Sequence, residues 1–426
     1  MERAFRIYLA PVAPMRLLLL LSLLLSVSAT AQTTLGLSAY YPFESNLGDV
    51  TGEPTNLGSP EGAVDYDCGV RTEALLLTGP GDFVRIPGGA SNNVNREFDD
   101  EDFSVSLYFK ALGTQGEQYL LAKQDTNCST APAFFIRYDV APRTITAQLT
   151  GVDGETLALT HTLTNLSCWQ HLVLVRDNTR LRLFINGLEV ADATSPQRVN
   201  VDNDGDLLIG ASACTDLSSA TFSGLIDELR IYGRALLTAE VQELYLFPDR
   251  ILTPPTNLFL GQSIMPSVNS NCGATFSWTP VDPVASPTDR EPTITPTTAG
   301  RRVFRLRIAD DVSSCVARDS LVLQVIDPED LDCNNLFVPK AFTPNGIGPV
   351  ANETFGISNP FAIGTLISFE VYDRYGGQVF RSDDRFARWD GTFDGQPVNP
   401  GVMLWRAVYR CGEEELIRTG SVTILR

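Results

Sequence analysis

The chain holds one literal Glu-x-Asp-x-Glu pattern, Glu97-Phe98-Asp99-Asp100-Glu101. Alternate side chains of a β-strand share a face, and two carboxyls about 5–5.5 Å apart are what retaining glycoside hydrolysis requires. The surroundings argue against that chemistry. The run lies between Asn92-Asn93 and a strand starting near Phe103, Asp102 adds further charge, and little apolar alternation is present to hold the acids, so it reads as a solvated loop. A second acidic run, Asp202-Asn203-Asp204-Gly205-Asp206, places carboxylates at alternate positions, but Ala213 stands where a calcium loop needs its bidentate glutamate. A tight turn is expected there. His161 and His171 are the only histidines, and His171, beside Trp169 in an alternating stretch, reads as a packed or surface side chain rather than a base. The sequence has no Gly-x-Ser-x-Gly elbow, no His-Glu-x-x-His and no phosphate loop. No catalytic residue and no enzymatic activity are expected.

The elements around these residues read as β-structure. In Arg180–Ile185, Leu181, Leu183 and Ile185 alternate toward one side, leaving a wet opposite face, and Asn186-Gly187 then supplies a type I′ hairpin signal into Leu188–Asp192. Comparable strands are expected at Phe103–Lys110, Trp169–Arg176, Val303–Ile308, Leu321–Ile326, Ile367–Tyr372 and Val402–Tyr409. One short helix is expected, capped by Thr238, with Glu240 in its first turn and an end before Pro248. Proline-rich and polar stretches at 249–256 and 327–330 divide the chain into segments 33–248, 257–327 and 331–426. The fold class is all-β: a jelly-roll β-sandwich followed by two immunoglobulin-like β-sandwiches.

Charge and cysteines set the compartment and the excluded partners. Lys and Arg number 32 against 51 Asp and Glu, a net charge of −19, which argues against nucleic acid. Met15-Arg16, the apolar run Leu17–Val27 and Ala29-Thr30-Ala31 read as a signal peptide over residues 1–31, too short to span a membrane. Its removal takes Glu2, Arg3, Arg6 and Arg16 and leaves −21. No later stretch reads as a transmembrane span. Eight cysteines in an exported chain suggest disulfides. An even number falls in each segment, which predicts Cys272–Cys315, with Trp278 packed beside it, and Cys333–Cys411. Cys68, Cys128, Cys168 and Cys214 leave three connectivities open.

Two family resemblances sharpen this outline. Tyr40-Tyr41-Pro42-Phe43-Glu44, Gly81–Pro87, Phe103–Tyr108, Phe184–Gly187 and Gly224–Leu236, in that order, make the first segment resemble a laminin-G-like, concanavalin-type jelly roll. The middle segment, with Phe276-Ser277-Trp278 and Arg302–Asp310, is similar to immunoglobulin-like spacers of the polycystic-kidney-disease type, without their glycine- and aspartate-rich turn. Val338–Gly346, with Pro344, Asn345 and Gly346, opens the third segment. Val371–Phe380 with Asp373, Arg374 and Gly376 follows, then Trp389-Asp390-Gly391, Pro400-Gly401, and Gly420–Arg426. These motifs closely resemble the gliding-motility-associated C-terminal domain, the type B sorting signal of type IX secretion in Bacteroidota. Ile347-Gly348 and Asn352-Glu353 depart from that family's usual acidic turn.

The first resemblance implies a structural calcium joining an acid of the N-terminal strand to one near the last strand; Glu44 and Asp227 fall at those places, with Asp49 close by. No organic cofactor is implied. Together the resemblances imply a secreted or cell-surface, lectin-like adhesion or glycan-binding protein whose partners are the type IX secretion machinery and an extracellular glycan or glycoprotein. The alternatives are a jelly-roll glycoside hydrolase of the laminarinase type and a purely structural surface protein.

Overall fold

The computed structural model describes residues 32–426 except 90–93, 99–100, 115, 126–127, 129–131, 165–166, 216–220, 312, 329–330, 332, 334 and 347–349. The expected signal peptide, Asp99 and Asp100 of the acidic pattern, and Ile347-Gly348 lie outside the described residues.

Strands of alternating and continuous apolar residues build two sheets in the first unit. The eight-stranded sheet runs Leu188–Thr194, Arg180–Ile185, Gln170–Asp177, Phe103–Ala111, Gly224–Tyr232, Glu73–Leu77, Asp65–Cys68, with Leu37–Tyr41 also paired to Gly224–Tyr232. The seven-stranded sheet runs Thr156–Thr162, Thr144–Thr150, Ala133–Asp139, Glu117–Gln124, Leu207–Ile209, Phe83–Ile86, Ser59–Glu61. Their inner faces enclose one core containing Phe103, Val105, Leu107, Phe134, Ile136, Leu172, Leu174 and Ile226. Asn186 and Gly187 both have positive φ, 52° and 79°, as the expected type I′ turn demands.

The sequence reading needs correcting on the other side of Arg180–Ile185. Leu181, Leu183 and Ile185 do enter the core, yet Arg182 and Phe184 are buried as well. Phe184 packs with Val173, Val175, Leu236, Val241 and Leu244, so the helix Thr238–Glu243 and its flanks cover the face expected to be wet. Leu237, not Thr238, occupies the helix cap, and Glu240 accepts its N–H at 2.8 Å while gripping Arg234 at 2.7 and 2.9 Å. A carboxylate that satisfies an orphan helix donor removes the need for a hydroxyl cap.

The chain divides into two compact units. The first comprises residues up to 250 together with 269–275 and 307–318; the second comprises 251–268, 276–306 and 319–426. The expected Cys272–Cys315 bridge is replaced accordingly. Cys272 bonds Cys68 and Cys315 bonds Cys168, with Cα atoms 5.5 and 5.8 Å apart, and Cys128 bonds Cys214. An even count per segment carries no geometry, whereas a bridge forms where backbones come within about 4.4–6.8 Å. Two long-range staples, a buried Lys110–Asp310 ion pair and hydrogen bonds from Asn271 to the Gly69 and Thr72 carbonyls hold these two stretches on the jelly roll.

In the second unit Thr256–Phe259 pairs in parallel with Leu323–Ile326, and Trp278 is fully buried, its indole N–H on the Asp289 carbonyl at 3.1 Å rather than beside a disulfide. Its five-stranded sheet orders Ala341–Phe342, Glu414–Ile424, Gly401–Cys411, Thr365–Tyr372, Gln378–Ser382 over a core of Phe355, Phe369, Val371, Trp389, Tyr409 and Val422. Cys333 pairs with Cys411 there.

Candidate functional site

The expected calcium ligands do not come together as a set. Asp49 spends one oxygen on the Tyr40 and Thr51 N–H groups, both at 2.9 Å, and the other on the Thr51 hydroxyl and the Asn56 amide. Asp227 is fully buried and accepts the Val70 and Glu228 N–H groups at 2.6 and 2.7 Å. Burial, reinforced by the Glu228 and Glu44 charges, pushes its carboxyl up to about 8. Glu44 accepts the Glu73 N–H at 3.2 Å. Among the described residues no three His, Cys, Asp or Glu side chains are grouped to hold a metal ion. Asp49 and Asp227 each hold a turn or strand through hydrogen bonds within the chain.

The other sequence candidates also resolve into structure. Glu97 and Phe98 sit in a short 3-10 helix, Val94–Phe98, with Phe98 in the core, so the Glu-x-Asp-x-Glu pattern starts in a helical turn rather than on a strand. His171 is stacked on Tyr108 at 4.5 Å and on Tyr245 at 5.9 Å, with Nε2 2.9 Å from the Ser106 hydroxyl. Burial, aided by the Arg230 charge, holds its ring down at about 3, so it stays neutral. The 202–206 run is an irregular stretch rather than a hydrogen-bonded tight turn, and Lys123, which the sequence reading passed over, organises it. Lys123, buried on the inward row of its strand, donates to the Asn203 and Gly205 carbonyls at 2.7 and 2.8 Å. The signal was one of the chain's three lysines inside an apolar strand; an ammonium already occupies the place where a loop cation would go.

The open surface is the outward face of the seven-stranded sheet. Pairing registers place Ser59, Arg85, Leu208, Ala122, Phe135, Gln148 and Ala158 in one row across it. The next row inward is Val84, Ile209, Leu121, Ile136, Ala147, Leu159, all core. Two small apolar clusters form its floor, Phe83 with Leu208 and Ala211, and Tyr119 with Ala122 and Phe135. Beside the first lies a groove of about 520 Å³ lined by Glu61, Phe83, Arg85, Gln124, Asp206 and Leu208. Arg85 meets Glu61 at 2.5 Å and Asp206 at 3.8 Å, and Asp206 also accepts the Gly88 N–H. Arg137 lies between Glu117 at 2.7 Å and Asp139 at 3.6 Å. Forked donors and acceptors around an apolar floor suit a polyhydroxylated ligand. Of the groove carboxylates, Glu61 and Asp206 are tied to arginine and backbone, and Asp125 and Asp204 also line the groove. The alternation of Phe83-Val84-Arg85-Ile86 signalled this face in the sequence.

In the second unit the sorting motifs converge at two places. Trp389 is buried against Phe342 and Phe380, its indole N–H on the Thr392 carbonyl at 2.7 Å, and Asp390 accepts both the N–H and the hydroxyl of Thr392. Gly391 has φ +79°, and any Cβ there would meet Pro344 at 3.0 Å. The Arg426 guanidinium reaches the Gly391 carbonyl at 3.2 Å, and Glu353 accepts the N–H groups of Asn345 and Gly346 at 2.8 and 2.9 Å. The Pro-Asn-Gly, Trp-Asp-Gly and C-terminal motifs thus build one corner of the sheet. Asp373 closes the other turn, accepting the Tyr375 and Gly377 N–H groups, with Gly376 at positive φ and Arg374 over the exposed Tyr375 ring.

Residues 79–242 match the family model of the concanavalin A-like lectin/glucanases superfamily, and residues 336–424 match the CHU_C type IX secretion signal domain. No curated protein matches the chain. Among solved structures, domain 4 of AbnA, a GH43 extracellular arabinanase from Geobacillus stearothermophilus, in complex with arabinotriose, is 23% identical over 49% of this chain and 98% of its own, with a TM-score of 0.39. The IT-sialidase CBM40 of Ruminococcus gnavus bound to α2,3 sialyllactose is 17% identical over 38% and 96%, with a TM-score of 0.33. The binding domain of Paraclostridial Mosquitocidal Protein 1 is 15% identical over 92% and 89%, with a TM-score of 0.43. Among the described residues no helix is long and apolar enough to cross a membrane. The chain joins a concanavalin A-like domain to a type IX secretion signal domain, which marks it for secretion or display at the cell surface.

Proposed function

We propose that this exported chain is a non-enzymatic, adhesive glycan-binding protein that contacts its ligand through the outward face of the seven-stranded sheet. One observation carries the reading: this face combines an apolar floor with Arg85, Gln124 and Arg137 at its surface, and two of its groove acids, Glu61 and Asp206, are engaged by arginine and backbone. Sugars present C–H faces and hydroxyls, which such a surface can match together.

A glycan array and a polysaccharide hydrolysis screen on the full secreted chain test this. Binding without turnover, weakened by Arg85→Gln, supports the proposal. Turnover makes the protein a glycoside hydrolase, and neither result makes it a structural surface component. Export is tested separately by deleting residues 331–426, which is expected to trap the protein in the periplasm; undiminished secretion would remove the sorting role from this module.

A further inference from the structure

A second cavity lies apart from the outward face, where core residues of the jelly roll meet the stretch 314–318 of the same unit. Its volume is about 390 Å³, within the range of sites for small ligands. Phe109 and Tyr138, with ring centroids 5.5 Å apart, form one wall, and the Cys168–Cys315 disulfide forms part of another. Arg143 and Arg318 line it, with Ser314 between polar neighbours.

Among the described residues some arginines are paired with carboxylates and others are not; Arg143 and Arg318 belong to the second group. In a chain of net charge −19, guanidinium groups such as Arg85, Arg137, Arg180, Arg230 and Arg234 are taken up by carboxylates. Among the described residues, no ion pair or side-chain hydrogen bond engages Arg143 or Arg318, and the Tyr138 hydroxyl likewise takes no hydrogen bond. Arg143 is also held in an unusual way. It has φ +54°, a left-handed conformation uncommon for a bulky residue, and its carbonyl is pinned by the Leu163 N–H at 2.8 Å. The disulfide ties the stretch bearing Arg318 to the strand end at Gln170.

We propose that this cavity binds a sugar residue bearing one anionic group, a carboxylate or a sulfate ester, with Arg143 and Arg318 taking the charge. Planar guanidinium forks match both anions in two-point contacts. Phe109 and Tyr138 supply an apolar wall for the ring's C–H face, and the hydroxyls of Tyr138 and Ser314 supply donors or acceptors for its alcohol groups. The site differs from the sheet face in position and in charge preference, so it stands or falls independently of the reading above.

Calorimetry on the full secreted chain at low salt tests it with four probes: glucuronic acid, glucose 6-sulfate, glucose and inorganic sulfate. Both acidic sugars are expected to bind at least about ten-fold more tightly than glucose, and the ratio of the two tells which anion the pocket prefers. Arg143→Gln and Arg318→Gln should each weaken acidic-sugar binding about ten-fold, the scale of one charge-assisted contact. Their melting temperatures should match that of the parent chain, and Arg85→Gln should leave this binding unchanged. Equal binding of glucose, retained affinity in both arginine variants, or no heat with any probe would overturn the proposal. Inorganic sulfate binding as tightly as the acidic sugars would overturn the sugar component.

Discussion

The two sheets of the jelly roll share one core but differ in what their other faces meet. In Phe103–Ala111 and Gln170–Asp177 of the eight-stranded sheet, nearly every residue is buried. Toward one edge of the seven-stranded sheet Thr144–Thr150 and Thr156–Thr162 instead alternate between buried and more exposed positions, while its middle strands Glu117–Gln124 and Ala133–Asp139 are largely buried. The covered sheet carries its polar residues as closed networks. Glu228, fully buried, receives Arg230 at 2.5 Å, the Tyr40 hydroxyl at 2.6 Å and Arg71 at 3.3 Å, while Tyr108 bridges the Leu244 carbonyl and the Leu246 N–H. The seven-stranded sheet exposes Thr156, Ala158 and Thr160 but buries Gln118 and Lys123. On the covered sheet buried charged residues such as Asp227 and Glu228 are held by hydrogen bonds and ion pairs within the chain.

The sharpest way to break this contrast is to remove a lock. Glu228→Ala leaves Arg230 buried and unpaired, and a loss of about 3–5 kcal/mol is expected in denaturant unfolding. A loss under about 1 kcal/mol would show that the covered face is wet. His171 gives the next largest effect. It packs between Tyr108 and Tyr245, near Ser106 and the Arg230 charge, and its folded value is depressed to about 3. The unfolded chain therefore takes up the proton first, so the stability is present above about pH 6.5 and is lost as pH falls toward 3. A fall on the order of 2 kcal/mol between pH 6.5 and 4.5 is expected, and His171→Asn should flatten that part of the profile.

On the open sheet the expected pattern reverses. Arg85→Gln should cost about ten-fold in glycan affinity while stability stays within roughly 0.5 kcal/mol. Thr160→Ala, on the exposed row, should change neither by more than about 0.5 kcal/mol; a larger stability loss would mean that the outward face is covered after all. Smallest of all, millimolar calcium should leave the melting temperature where it was, because Asp49 and Asp227 already hold their hydrogen bonds within the chain. A clear upward shift would reassign those carboxylates to a metal.

Local patterns in the chain determined a good deal by themselves. Period-two alternation marked Arg180–Ile185, Asn186-Gly187 required its turn, and the Pro-Asn-Gly, Trp-Asp-Gly and terminal motifs announced the secretion signal domain, because each depends on residues near one another in sequence. Only the tertiary structure decided which face of a strand is covered, where Cys272 and Cys315 find partners, and that Lys123 occupies the 202–206 stretch. Those outcomes rest on distances between residues separated by 204, 147 or about 80 positions. Alternation tells a strand that it has two faces; what packs on the second one is settled by elements elsewhere in the chain.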